Sequence, residues 1–219
     1  MTKYRFKSVI STAAIAVLLV GLAGAPVAAA RQVDRRPLLA GLLVHADLPR
    51  SYHSARPSTE VWADIPPANF GPCGDAPWQA GAPTRTRLAV AAFVQAPANT
   101  TNLIETLAVV GDSNARAAVA ASGSAWRTCP TTQLVTTDGT HEIVQIRRMA
   151  TPRLGAVSAG LRYVIRLQSG GPPIQYAREI VVAWHGVIVK VALQGPAEPD
   201  RHELETIAAR AVAKLQRIR

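Results

Sequence analysis

Tyr176-Ala-Arg-Glu-Ile-Val-Val-Ala-Trp-His-Gly-Val-Ile-Val-Lys-Val-Ala-Leu193 decides the fold. Two runs rich in β-branched residues flank His185-Gly186. A two-residue connection of this kind closes a β-hairpin, because glycine accepts the positive φ that the turn demands. Val187, Val189, Val191 and Leu193 occupy alternate positions and therefore share one face of their strand. The stretch predicts an antiparallel pair with one face turned to a core.

Outward from the hairpin, the same alternation recurs. In Gly160–Leu167, Leu161, Tyr163, Ile165 and Leu167 fall on one face, and Arg162, Val164 and Arg166 on the other. In Glu142–Met149, Ile143, Gln145 and Arg147 oppose Val144 and Ile146. Arg87–Val94 and Thr101–Val110 read as two further strands, the second with Glu105 in its middle. Downstream, Leu204, Ile207, Ala208, Ala211, Val212 and Leu215 repeat at helical spacing. Asp200 stands as the N-cap of that helix, with Glu203 three residues on.

Upstream, Asp112 to Cys129 is an alanine-rich helix, with Asp112 or Ser113 as its expected cap and a Trp126-x-x-Cys129 corner at its end. Pro37–Leu48 is apolar and helix-compatible, and Ser51–Gly81, with its Pro, Gly and Ser, reads as loop. The sum is an α+β fold: a twisted, mostly antiparallel β-sheet with helices packed on it.

The N-terminus has its own logic. Lys3, Arg5 and Lys7 precede an apolar stretch, Ser8–Gly24, and Ala28-Ala29-Ala30 offers a cleavage site after Ala30. Residues 1–30 are thus expected to be a signal peptide, with an uncleaved anchor as the alternative. Residues 31–36 form a polar arm and 37–219 a single domain, with no stable membrane span after cleavage. The expected location is secreted or cell-envelope associated.

The chain carries 24 basic and 14 acidic residues; without Lys3, Arg5 and Lys7 the count is 21 against 14. The basic residues are scattered rather than gathered in a stripe, which with export argues against nucleic acid. The two cysteines, Cys73 and Cys129, are expected to form a disulfide in an oxidising compartment. Two buried free thiols are the alternative. Closing that loop is worth about 4 kcal/mol in the chain-entropy account.

Three chemistries compete. Val110-Gly111-Asp112-Ser113 looks like the nucleophile block of SGNH hydrolases, which would make Ser113 the nucleophile of an esterase. That family also needs an Asp-x-x-His block. Asp200-Arg201-His202 has the wrong spacing, so no catalytic residue is expected. The five histidines stand at no ligand spacing, and neither a metal nor a cofactor is expected. The remaining candidate is a binding face of arginine and aromatic side chains: Arg162, Arg166, Tyr176, Arg178 and Trp184. Such side chains suit anionic or sugar-containing ligands. Alternation places these residues within each strand, but leaves open whether the two faces coincide.

Trp126-Arg-Thr-Cys129 after an alanine-rich helix resembles the W-x-x-C of the PknH-like extracellular sensor domains of mycobacteria. Pro72-Cys73 looks like that family's upstream cysteine element, Tyr176–Val191 like its hairpin, and Arg201–Leu215 like its C-terminal helix. The resemblance covers roughly residues 37 to 217. It departs at the family's second disulfide, which brackets the hairpin. No cysteine stands near Ile174–Tyr176 or Leu193–Gly195. The resemblance implies a non-catalytic exported domain with a cleft for a cell-envelope ligand or protein partner. A structural envelope protein without a small-molecule ligand is the other reading.

Overall fold

The computed structural model describes residues 38–63, 85–96, 101–136 and 138–217. The expected signal peptide, the polar arm and Cys73 lie outside the described residues. In chain order the strands are β1 (Tyr52–Ala63), β2 (Thr86–Gln95), β3 (Asn102–Val109), β4 (Thr131–Val135), β5 (His141–Met149), β6 (Val157–Leu167), β7 (Gln175–Trp184) and β8 (Val187–Gly195). Helix α1 (Asp112–Thr128) separates β3 from β4, and α2 (Arg201–Arg217) closes the chain.

The eight strands of the described residues form one sheet, in the order β1-β2-β3-β8-β7-β6-β5-β4, and every adjacent pair is antiparallel. The α+β expectation holds. Two meanders, β1–β3 and β4–β8, join along β3 and β8. The connection from β3 to β4 has to cross five inter-strand gaps, about 24 Å at 4.8 Å each. The 17 residues of α1 span about 25 Å at 1.5 Å each, so one helix is long enough for the crossing.

The hairpin is as the sequence predicts. His185 (φ 43°) and Gly186 (φ 81°) both have positive φ, as a type I′ turn requires. Gly186 has a second reason to be glycine. Its carbonyl accepts the N–H groups of Val110 and Gly111 at 2.9 and 3.0 Å, and a Cβ would sit 3.2 Å from the Asp112 nitrogen and the Gly111 Cα. The turn thereby fixes where α1 begins.

The two helices lie on opposite faces. On β7, Ile180 and Val182 join the core beneath α2, with Leu204, Ile207, Ala208, Ala211, Val212 and Leu215. The intervening Val181 and Ala183 meet Ala115, Ala118 and Val119 of α1. The α2 core is rich in leucine. The α1 layer is mostly alanine and valine, and at Gly123 the helix comes so close that a Cβ would stand 3.3 Å from the Cβ of Ala159.

Three expectations need correction, and one strand, β4, has no counterpart among them. Pro37–Leu48 does not form an α-helix within its described residues; it forms two 3-10 turns, Leu38–Gly41 and His45–Asp47. Backbone N–H groups in and between these turns are held by carboxylates: Glu60 accepts from Leu39 N–H (3.2 Å), Glu105 from Leu43 (2.6 Å) and Asp47 from Val44 (2.9 Å). Ser51–Gly81 is not all loop. Its first part is β1, a polar strand with register shifts on both sides of Arg56. Pro57, which cannot donate to a ladder, falls in the second shift. The short β4 is largely exposed and has no apolar alternation to mark it in the sequence. Finally, neither Asp112 nor Ser113 caps α1. Gly111 is its N-cap, without a side-chain bond, and Asp112 instead pairs with Arg116 at 2.9 Å. The α2 cap is as expected: Asp200 accepts the Glu203 N–H at 2.7 Å.

Candidate functional site

The register of the sheet settles whether the two arginine faces coincide. Arg162 pairs with Arg178 across β6 and β7, and Arg147 pairs with Arg162 across β5 and β6. Directly paired residues project to the same side. Three arginines therefore stand in a row on the α2 side of the sheet, at the end that no helix of the described residues covers. Arg147 is exposed, and Arg162 and Arg178 retain 36% and 19% side-chain exposure.

One carboxylate sits on two of the three. Glu198, in the Pro196-Ala-Glu-Pro199 segment that leads to α2, takes a two-pronged bond from Arg162: Nε to Oε1 at 2.6 Å and Nη2 to Oε2 at 2.8 Å. Arg178 reaches the same Oε1 through Nη2 at 2.5 Å and Nε at 3.2 Å. Hydrogen bonds from Arg162 and then Arg178 hold the Glu198 carboxyl below its ordinary value. Arg147 has no ion-pair partner among the described residues. Arg166, four residues along β6, donates to the Gly171 carbonyl at 3.2 Å. Tyr176 pairs with Val164 in the next row and is half-buried.

Trp184 does not join this group. It shares the face but lies eight residues from Tyr176 at the turn end of β7, packed on the α2 core and edge-on to His185 at 4.7 Å between centroids. The structure thus gathers Arg162, Arg166, Tyr176 and Arg178, leaves Trp184 apart, and adds Arg147 and Glu198. Alternation can place Arg147 on a face but cannot pair it, since β5–β6 register is invisible in one strand alone. Glu198 sits between prolines in a linker and gives no periodic signal.

Ser113 is exposed in the first turn of α1. Asp200 and His202 lie at the start of α2, so the sheet stands between the helices that carry Ser113 and its would-be partners. The Asp200 carboxylate is already engaged with the Glu203 N–H. No group of three or more metal-ligating side chains is found among the described residues. No helix among them is long and apolar enough to cross a membrane.

At the far end of α1, Ala125 packs with Val144, Ile146 and Leu161, and Trp126 and Cys129 close over them. Arg127 lies 5.2 Å from the Trp126 ring centroid. Beside this cluster, Glu179 is buried, accepting from Tyr163 at 3.2 Å and pairing with Lys190 at 2.8 Å.

This arrangement of strands has a known counterpart. The chain is similar in fold to the extracellular domain of PknH. The match to that crystal structure, from Mycobacterium tuberculosis, has a TM-score of 0.54 at 15% identity, and covers 81% of this chain and 94% of the other. An uncharacterised protein from Mycobacterium smegmatis, the Rv0999 ortholog, aligns at TM-score 0.49 and 12% identity, over 82% of this chain and 97% of that one. No protein-family model matches the sequence, and no curated protein matches it. The fold implied by Trp126-x-x-Cys129, the hairpin and the last helix is therefore present.

Proposed function

We propose that the protein is a non-catalytic, extracytoplasmic, sensor-like domain of the cell envelope. It binds a ligand or partner on the sheet face that α2 leaves open. The observation that carries this reading is the convergence of Arg162, Arg166, Arg178 and Tyr176 on that open face. Guanidinium forks and an aromatic ring supply directional contacts to polar and anionic groups. The likeness to an extracellular domain supports the location, as does the signal-type N-terminus.

The test is a titration of soluble cell-envelope fragments against wild type and an Arg162→Ala/Arg166→Ala variant. Binding by wild type that drops at least tenfold in the variant is expected. Equal binding, or none, overturns the reading.

The proposal includes a Cys73–Cys129 disulfide tethering the end of α1 to the segment before β2. Intact mass should rise by about two hydrogens on reduction. A thiol titrating without reductant would refute the bond.

A further inference from the structure

The arginine row has an unusual balance of charge. Adjacent strands are about 4.8 Å apart, so Arg147 and Arg178 stand about 10 Å from each other with Arg162 between them. Like charges directly opposite each other in a sheet repel. The strand carboxylates do not relieve this, because Glu142 and Glu179 alternate onto the α1 face, opposite the row. Only Glu198 among the described residues reaches it, and it engages two of the three guanidiniums. Three positive charges and one negative leave a surplus, concentrated at the exposed Arg147.

Glu198 itself is a third exposed and is held by a short linker rather than by the sheet. Its carboxylate occupies the position that an incoming oxyanion would take: in the fork of Arg162 and against Arg178. An external monocarboxylate would have to compete with an identical group already tethered at high effective concentration. A phosphate brings more charge and more acceptor oxygens, so Arg162 and Arg178 need not share one oxygen as they share Oε1 of Glu198. A second phosphate on the same molecule would meet Arg147.

We propose that Arg147, Arg162 and Arg178 form a binding row for a phosphate-bearing polyanion, and that Glu198 is a built-in carboxylate which the ligand displaces. This rests on the reading of the open face as a binding surface and specifies its chemistry. Displacement would also free Pro196–Pro199, the segment that leads into the Asp200 cap of α2. Occupation of the row is thereby coupled to the start of that helix.

The test uses the full chain and tripolyphosphate as probe, read by calorimetry at about 0.15 M salt, where exposed charges farther apart than about 8 Å are screened. One equivalent is expected to bind. Arg147→Ala should weaken it at least tenfold, and Glu198→Gln should tighten it at least threefold. Arg148→Ala, which removes the same charge from the opposite face, should change it less than twofold. No binding, equal losses in Arg147→Ala and Arg148→Ala, or no gain in Glu198→Gln would each overturn the proposal. Citrate supplies the carboxylate arm: binding as tight as tripolyphosphate, with the same variant pattern, would overturn the phosphate assignment. Envelope fragments that still bind through Arg162 and Arg166, with tripolyphosphate inert, would sink this chemistry alone. Circular dichroism of each variant guards against loss of fold.

Discussion

One row of residues across the sheet contains two different environments. Arg147, Arg162 and Arg178 on β5, β6 and β7 continue in register into Leu193, Leu103 and Phe93 on β8, β3 and β2. The backbone pattern is the same throughout. Leu193 and Leu103 are fully buried and Phe93 is nearly so, whereas Arg147 is exposed. The difference is what lies above: the core that α2 completes on one side, solvent on the other. Coverage, not strand geometry, decides which residue type each position tolerates.

Two glutamates make the contrast sharper. Glu105 and Glu198 both serve the α2 side of the sheet. Glu105 lies in the covered half, at 0% exposure, and burial pushes its pKa up to about 8 despite the bond from Leu43 N–H. Glu198 lies at the margin of the open half, where its two arginines push it down. The same carboxyl group titrates in opposite directions along one face.

The largest test of this contrast is truncation within the row. Leu193→Ala removes packed methyl groups from the covered half and should cost about 2–5 kcal/mol in urea unfolding. Arg147→Ala in the open half should change stability by at most about 0.5 kcal/mol. Equal costs would show that the two halves are not differently covered.

Next comes Glu105. In the unfolded chain it ionises near the ordinary value of 4.5, but in the folded protein only near 8. The unfolded state therefore releases its proton first, and this group's contribution falls as pH rises from about 4.5 to about 8. Glu105→Gln keeps an acceptor for Leu43 N–H and cannot ionise. It should be more stable than wild type at pH 8 by a few kcal/mol, since each pH unit between the two values is worth on the order of 1.4 kcal/mol. The gap should close toward pH 4. A gap independent of pH would contradict a buried, neutral Glu105.

The smallest effect concerns Glu198. Its folded pKa is lowered, so its contribution is present above the unfolded value of 4.5 and is lost as pH falls through the folded value. Glu198→Gln should lose that acid limb. Because the three side chains are partly solvated, the change at neutral pH should be at most about 1 kcal/mol. A larger loss would mean the row is a structural clasp and not a site awaiting a ligand.

The parts legible in the sequence are those in which one element carries its own signal. The hairpin announces itself through His185-Gly186, and α2 through its apolar stripe, all six residues of which are buried. What cannot be read depends on two elements at once. β1 is polar because it lies beyond β2 at the outer position of the described sheet, so its composition looks like loop. The α1 cap looks like Asp112 or Ser113 because nothing in the local sequence shows that the Gly186 carbonyl already engages Val110 and Gly111. The proposed binding face is half visible: Arg162 and Arg166 by alternation, but their alignment with Arg178 and Arg147 only through inter-strand register. Parity on β7 groups Trp184 with them, but parity ignores distance along the strand.

The join between β3 and β8 has a consequence for how the chain folds. Every other strand pairing links sequence neighbours, whereas this one brings together segments on either side of α1 and of four intervening strands. The entropy of closing a long loop is thus concentrated in a single event, and such non-local closure is what slows folding. The two meanders can form locally and then meet along Leu107 and Val189, which are paired and buried at that join. Truncating either should slow refolding, while truncating Ile146 in β5 should mainly hasten unfolding.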